Sequence, residues 1–102
     1  MQLEIRRQNV RLDDTMVEHI EKQMGVALNN FESWLRDVQV SLEDVNGPKG
    51  GVDKQCRVLV NLRSGKMLKV EDTAEDWTTV VNRTADRVGH VVAKEVGKRR
   101  EH

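Results

Sequence analysis

A chain of 102 residues with 37% hydrophobic side chains is long enough for one modest core and too short for two domains. Seventeen Lys and Arg balance seventeen Asp and Glu, which excludes a polycation that coats nucleic acid by bulk attraction; any polyanion site must be a local patch. The three aromatic residues, Phe31, Trp34 and Trp77, weigh against sheets and barrels that stack exposed bases, and the lone Cys56 has no disulfide partner.

The N-terminus is too charged for a signal peptide and no apolar run approaches about 18 residues, so the chain is expected to be cytoplasmic with no membrane partner. Leu3 and Ile5 alternate with Gln2, Glu4 and Arg6, the period of a half-buried strand. Apolar parity then shifts to Val10 and Leu12, which predicts a bulge or bend over residues 7–9. From Asp14 the spacing becomes helical, with Val17, Ile20, Met24, Leu28 and Phe31 on one stripe, and Thr15 and Glu18 fit a capping box at its start. Val38, Val40 and Leu42 form a second strand, and residues 44–51, rich in Gly and Pro, form a loop. Cys56, Val58, Val60 and Leu62 form a third strand, joined by a tight turn at Ser64-Gly65 to a fourth with Leu68 and Val70. A second helix follows, with Trp77, Val81, Ala85, Val88, Val92 and Val96 on one face. The expected fold is α+β, ordered β-α-β-β-β-α, with two helices packed on one face of a four-stranded sheet.

Catalytic chemistry has little support. His19, His90 and His102 lack metal-ligand spacing, Cys56 shares the parity of core valines, and Gly65-Lys66 lacks the upstream Gly of a phosphate loop. No cofactor, metal or small-molecule substrate is expected, and the chain does not read as an enzyme.

The second helix carries a different signal. Arg83, Arg87, His90, Lys94 and Lys98 recur every three or four residues beside the apolar stripe, and Arg99 and Arg100 extend the charge. Residues 83–100 hold six cations against Asp86 and Glu95, a net of +4, whereas Glu71, Asp72, Glu75 and Asp76 carry −4 just before them. From residue 83 to 98 the stripe is about 22 Å long, a fit to RNA phosphates. The same pattern also describes a solvated face whose charges complement the helix dipole. Arg7, Arg11 and Lys22 would widen a polyanion site if they faced the same way.

The opening Met1-Gln2-Leu3-Glu4-Ile5-Arg6-Arg7-Gln8-Asn9-Val10 resembles the start of the ribosome hibernation promoting factors, also called the ribosome-associated inhibitor A or sigma-54 modulation family, where a Met-Gln-Ile-x-Ile strand leads into Asn-Ile or Asn-Val. Asp76-Trp77-Thr78-Thr79-Val80-Val81-Asn82-Arg83-Thr84-Ala85-Asp86-Arg87-Val88, followed by Lys94, resembles that family's Asp-x-Tyr-x-Ala-Ile-Asp-x-x-x-Asp-Lys-Leu signature. Thr78 stands in place of Tyr, Asn82 in place of Asp, and Val96 where another basic residue is common. The resemblance spans nearly the whole chain.

It implies one ribosome-binding domain over residues 1–102, which occupies the messenger and transfer RNA channel of the 30S ribosomal subunit, contacts its 16S rRNA, and blocks translation under stress. It also implies a short form without the ribosome-pairing domain of long members, and a protein expected to be monomeric when free. By carry-over, Arg83, Arg87 and Lys94 match basic positions of the signature helix and Lys22 falls in a basic region of the first. Arg7, His90, Lys98, Arg99 and Arg100 join the expected RNA-binding set from the charge pattern alone. Two rivals stay open: a protein-interaction modulator of a transcription or stress factor, and a general double-stranded RNA binder.

Overall fold

The computed structural model describes residues 2–45 and 52–100, the side chain of Arg100 excepted; residues 46–51 of the expected Gly-rich loop lie outside the described residues. Strand β1 (Gln2–Gln8) leads to helix α1 (Asp14–Leu28) and a 3-10 turn (Asn29–Trp34), then to strands β2 (Leu35–Asp44), β3 (Lys54–Leu62) and β4 (Met67–Ala74), and to helix α2 (Trp77–Arg100). This is the β-α-β-β-β-α order that periodicity predicts. The strands form one sheet in the order β1-β2-β3-β4. β2, β3 and β4 are an antiparallel meander, whereas β1 lies parallel to β2 because α1 intervenes as a crossover.

Register puts the apolar parity of every strand on one face. Ile5 pairs with Val40, Val40 with Val58, and Val58 with Val70. Val38, Val40, Leu42, Cys56, Val58, Val60 and Val70 are buried on that face, beneath Ile20, Met24 and Leu28 of α1 and Val81, Ala85, Val88, Val92 and Val96 of α2. The opposite face is polar, with Arg57 bonded to Glu71 at 3.0 Å and Asn61 to Asp37 at 2.6 Å. α2 lies over β3 and β4, and α1 lies against α2. The helices meet where Gly89 faces Ala27, whose carbonyl would stand 3.3 Å from an added Cβ, and where His19 Nε2 and Asn82 Oδ1 are 2.7 Å apart.

The bend expected near residues 7–9 is a strand end. β1 stops at Gln8 and Asn9 turns the chain in the left-handed region at φ 58°. The turn at Ser64-Gly65 has Gly65 at φ 95°, a conformation that favours glycine, closed by a bond from its N–H to the Leu62 carbonyl at 2.9 Å.

Two local expectations need correction. The cap of α1 is Asp13, not the Thr15–Glu18 box: Asp13 is extended at φ −80°, ψ 170°, and its carboxylate accepts from the Met16 N–H, leaving Thr15 two residues too late to cap, already inside the helix. The acidic run before α2 does not sit as a block at the helix N-terminus either. Glu71 and Asp72 belong to β4, and Asp76 makes the cap, accepting from the Thr79 N–H at 2.8 Å.

Burial pushes the Cys56 thiol up to about 11, opposed weakly by the Thr84 hydroxyl facing it from α2. That hydroxyl is fully buried and makes no well-formed hydrogen bond among the described residues. Thr84→Val keeps the shape and deletes a poorly satisfied group, so it is expected to raise stability by about 1 kcal/mol. An unfolding midpoint in urea at or below that of the parent would contradict this.

Candidate nucleic-acid interface

α2 runs back along β4, and two polar ties hold it there. Near its start, Arg83 grips Asp72 through Nε at 3.0 Å and Nη2 at 2.8 Å, and Nη2 also donates to the Thr73 carbonyl at 3.1 Å. One turn on, Arg87 donates from Nη1 to the Glu71 carbonyl at 2.9 Å, 3.9 Å from Asp72 Oδ2. β4 is an edge strand, so a row of its carbonyls has no strand neighbour, and the two arginines cover part of that row. Near the other end of α2, Lys66 in the β3–β4 turn reaches Glu95 at 2.5 Å, with Arg99 at 3.7 Å from the same carboxylate.

These ties leave donors pointing to solvent. A guanidinium has five N–H groups: Arg83 commits Nε and Nη2, Arg87 commits Nη1, and both side chains remain about half exposed. Asp72 restrains Arg83 without covering it. Lys94 and Lys98 are exposed and hold no ion pair among the described residues, and His90 is exposed with Asp86 3.9 Å away.

The remaining expected contacts lie elsewhere. Arg7 is on β1, the sheet edge opposite β4, where Nη1 approaches the Leu12 carbonyl at 3.4 Å. Lys22 is exposed on α1, separated from the stripe by the groove between the helices, which Gln23, Val26, Asn82 and Asp86 line. The structure therefore brings Arg83 and Arg87 together on Asp72 and joins neither to Arg7 or Lys22. It adds Arg63 and Lys66, which the sequence reading passed over. A helix returning along β4 must end near the β3–β4 turn, and that was the available signal.

Hydrogen bonding from Arg83 holds the Asp72 carboxyl below its ordinary range against a smaller opposing effect of burial, and the same bond raises Arg83. Lys66 lowers Glu95 in the same way. A carboxyl lowered in the folded state stabilises the fold above its unfolded value, about pH 4, and loses that contribution as pH falls through the lowered native value. Asp72→Asn is therefore expected to flatten the acid side of the stability curve. Thermal melts from about pH 5 to about pH 2 that show equal losses for variant and parent would contradict this.

A basic helix face anchored to a sheet edge is consistent with several families, and the sequence match decides between them. Residues 3–100 match the model of the family described as sigma 54 modulation protein / S30EA ribosomal protein. The chain belongs to this family. Its members are ribosome-associated proteins. Among solved structures the fold resembles the N-terminal domain of Protein Y from Thermus thermophilus, at 21% identity and a TM-score of 0.74, covering 92% of this chain and 98% of that one. It also resembles a ribosomal subunit interface protein from Coxiella burnetii, at 14% identity and a TM-score of 0.81, covering 95% of this chain and 99% of the other. At these identities the likeness is one of fold. No curated protein gives a significant sequence match. Among the described residues no helix is long and apolar enough to cross a membrane, and no group of His, Cys, Asp or Glu could hold a metal ion.

Proposed function

We propose that this sigma 54 modulation family member binds the small ribosomal subunit in the channel used by messenger and transfer RNA, and silences translation by occupancy instead of catalysis. The observation that carries the reading is the α2 face, where Arg83 and Arg87 are braced on β4 with outward donors and continue into exposed Lys94 and Lys98. Such a row of cations contacts phosphates, which positions a protein on RNA without reading bases. Family membership supports the ribosome as the source of that RNA, and the Coxiella neighbour is itself named a subunit interface protein. Arg7 and Lys22 belong at most to separate contacts on this reading.

With about six phosphates neutralised, association should weaken about a thousandfold between 50 and 200 mM salt, taking the duplex-DNA slope as an upper guide. Cosedimentation with purified 30S subunits across a salt series tests this. A flat salt response with a nuclease-resistant protein partner would favour the protein-modulator reading. Equal affinity for naked duplex and for subunits would favour a general double-stranded RNA binder.

A further inference from the structure

The two edges of the sheet are finished differently. Arg83 and Arg87 donate to carbonyls of β4, whereas β1 has β2 on one side and, among the described residues, no strand on the other. Five of the seven residues of β1 are exposed. Its outward N–H and C=O groups are a template for another extended chain, and charged side chains are the usual way of blocking such pairing. On β1 the charges block every register but one.

Leu3 and Ile5 are partly buried against the core, and Glu4 and Arg6 lie on the open face, where Arg6 Nε donates to Glu4 Oε1 at 2.8 Å. Two antiparallel copies of β1 keep core-side chains together only when the pair is centred on a residue, because a one-residue slip exchanges the faces. Centred on Glu4, that carboxylate opposes its own copy, and centred on Arg6, two guanidiniums meet. Centred on Ile5, all seven residues pair: Gln2 with Gln8, Leu3 with Arg7, and Glu4 with Arg6. Glu4, Arg6 and their equivalents then form a square in which each charge has an opposite charge beside it, both along the strand and across it. Arg6 commits only Nε within its own chain, so both Nη groups are free for the carboxylate of the other copy.

We propose that β1 pairs with β1 of a second copy of this chain, antiparallel about Ile5. The contact joins two four-stranded sheets into one, with all the helices on the same side. Its axis is twofold, so the assembly closes as a dimer and does not propagate. Ile5, partly covered in one copy, meets Ile5 of the other at the seam. One strand pair is a small interface, so the dimer is weak and the expected monomer is its dilute form. α2 and β4 lie at the far edges, and the inference therefore stands apart from the RNA-binding reading.

Sedimentation equilibrium of the full chain, from about 10 µM to about 1 mM, tests this. The parent should show a monomer–dimer equilibrium. Glu4→Arg and Arg6→Glu each set like charges opposite one another, and each should weaken dimerisation about tenfold. Mixed in equal amounts, the two variants should associate at least as tightly as the parent, because one copy then carries only cations at these positions and the other only anions. Combining both substitutions in one chain should restore the homodimer. Both side chains are more than half exposed, so the swaps leave the fold intact, with circular dichroism as the control. A parent that stays monomeric at about 1 mM overturns the proposal. So does a dimer that neither single swap weakens, or a mixture of the two variants that associates no better than each alone.

Discussion

Replacing Arg83, Arg87 and Lys94 together with alanine is expected to weaken association with the small subunit about a thousandfold at low salt and to reduce the salt slope by about 3. A hydrogen bond from a charged group is worth about 1.5–3 kcal/mol, and the low end applies here because Arg83 and Arg87 already share Asp72. Three such losses at about 1.5 kcal/mol each give the thousandfold figure. Lys94, with no ion pair among the described residues, should account for about tenfold alone. Alanine is the cleaner choice at position 83, since Arg83→Glu would set a second carboxylate against Asp72 and disturb the fold itself. Cosedimentation at several salt concentrations reads both quantities, with circular dichroism as the folding control. A triple variant that stays within threefold of the parent, with its salt slope unchanged, would sink the α2 interface.

Leu28→Ala should be the most damaging single change to stability, at about 2–5 kcal/mol. Leu28 is the last residue of α1 and fully buried where the helix gives way to the 3-10 turn, so the lost methyl groups leave a cavity that the crossing elements restrict from closing. Each kcal/mol moves the midpoint of a domain this size by about 4–8 °C, so the loss is unmistakable in a thermal melt. Val26→Ala, two residues earlier, is the control, because Val26 is 71% exposed and should cost no more than about 0.5 kcal/mol. Similar destabilisation by the two substitutions would mean that the α1 face has been assigned to the wrong residues.

Position along each element was legible because it depends on local period. Val38, Val40 and Leu42 alternate and are buried; Ile20, Met24 and Leu28 recur every four residues and are buried. Leu35 was missed because it stands outside that alternation, beside a register shift in the β2–β3 ladder. Capping was less legible. Asp13, Asp14 and Thr15 are all acceptable caps by composition, and only the backbone entering α1 selects Asp13.

By itself the sequence determined the element order, the apolar face of each element, the family and a zero net charge divided into an acidic segment and a basic helix. These are properties of short windows, where side-chain period and motif spacing carry the information. Only the tertiary structure decided what the divided charge does. Side chains alternate across β4, so Asp72 falls on the helix-bearing face, and α2 returns along that same edge; Arg83 and Arg87 are therefore anchored on the acidic segment that precedes them. The same return carries Arg99 to Arg63 and Trp34, residues some 35 to 65 positions apart in the chain. Such meetings depend on how strands pair and where a helix packs, and no local period encodes them.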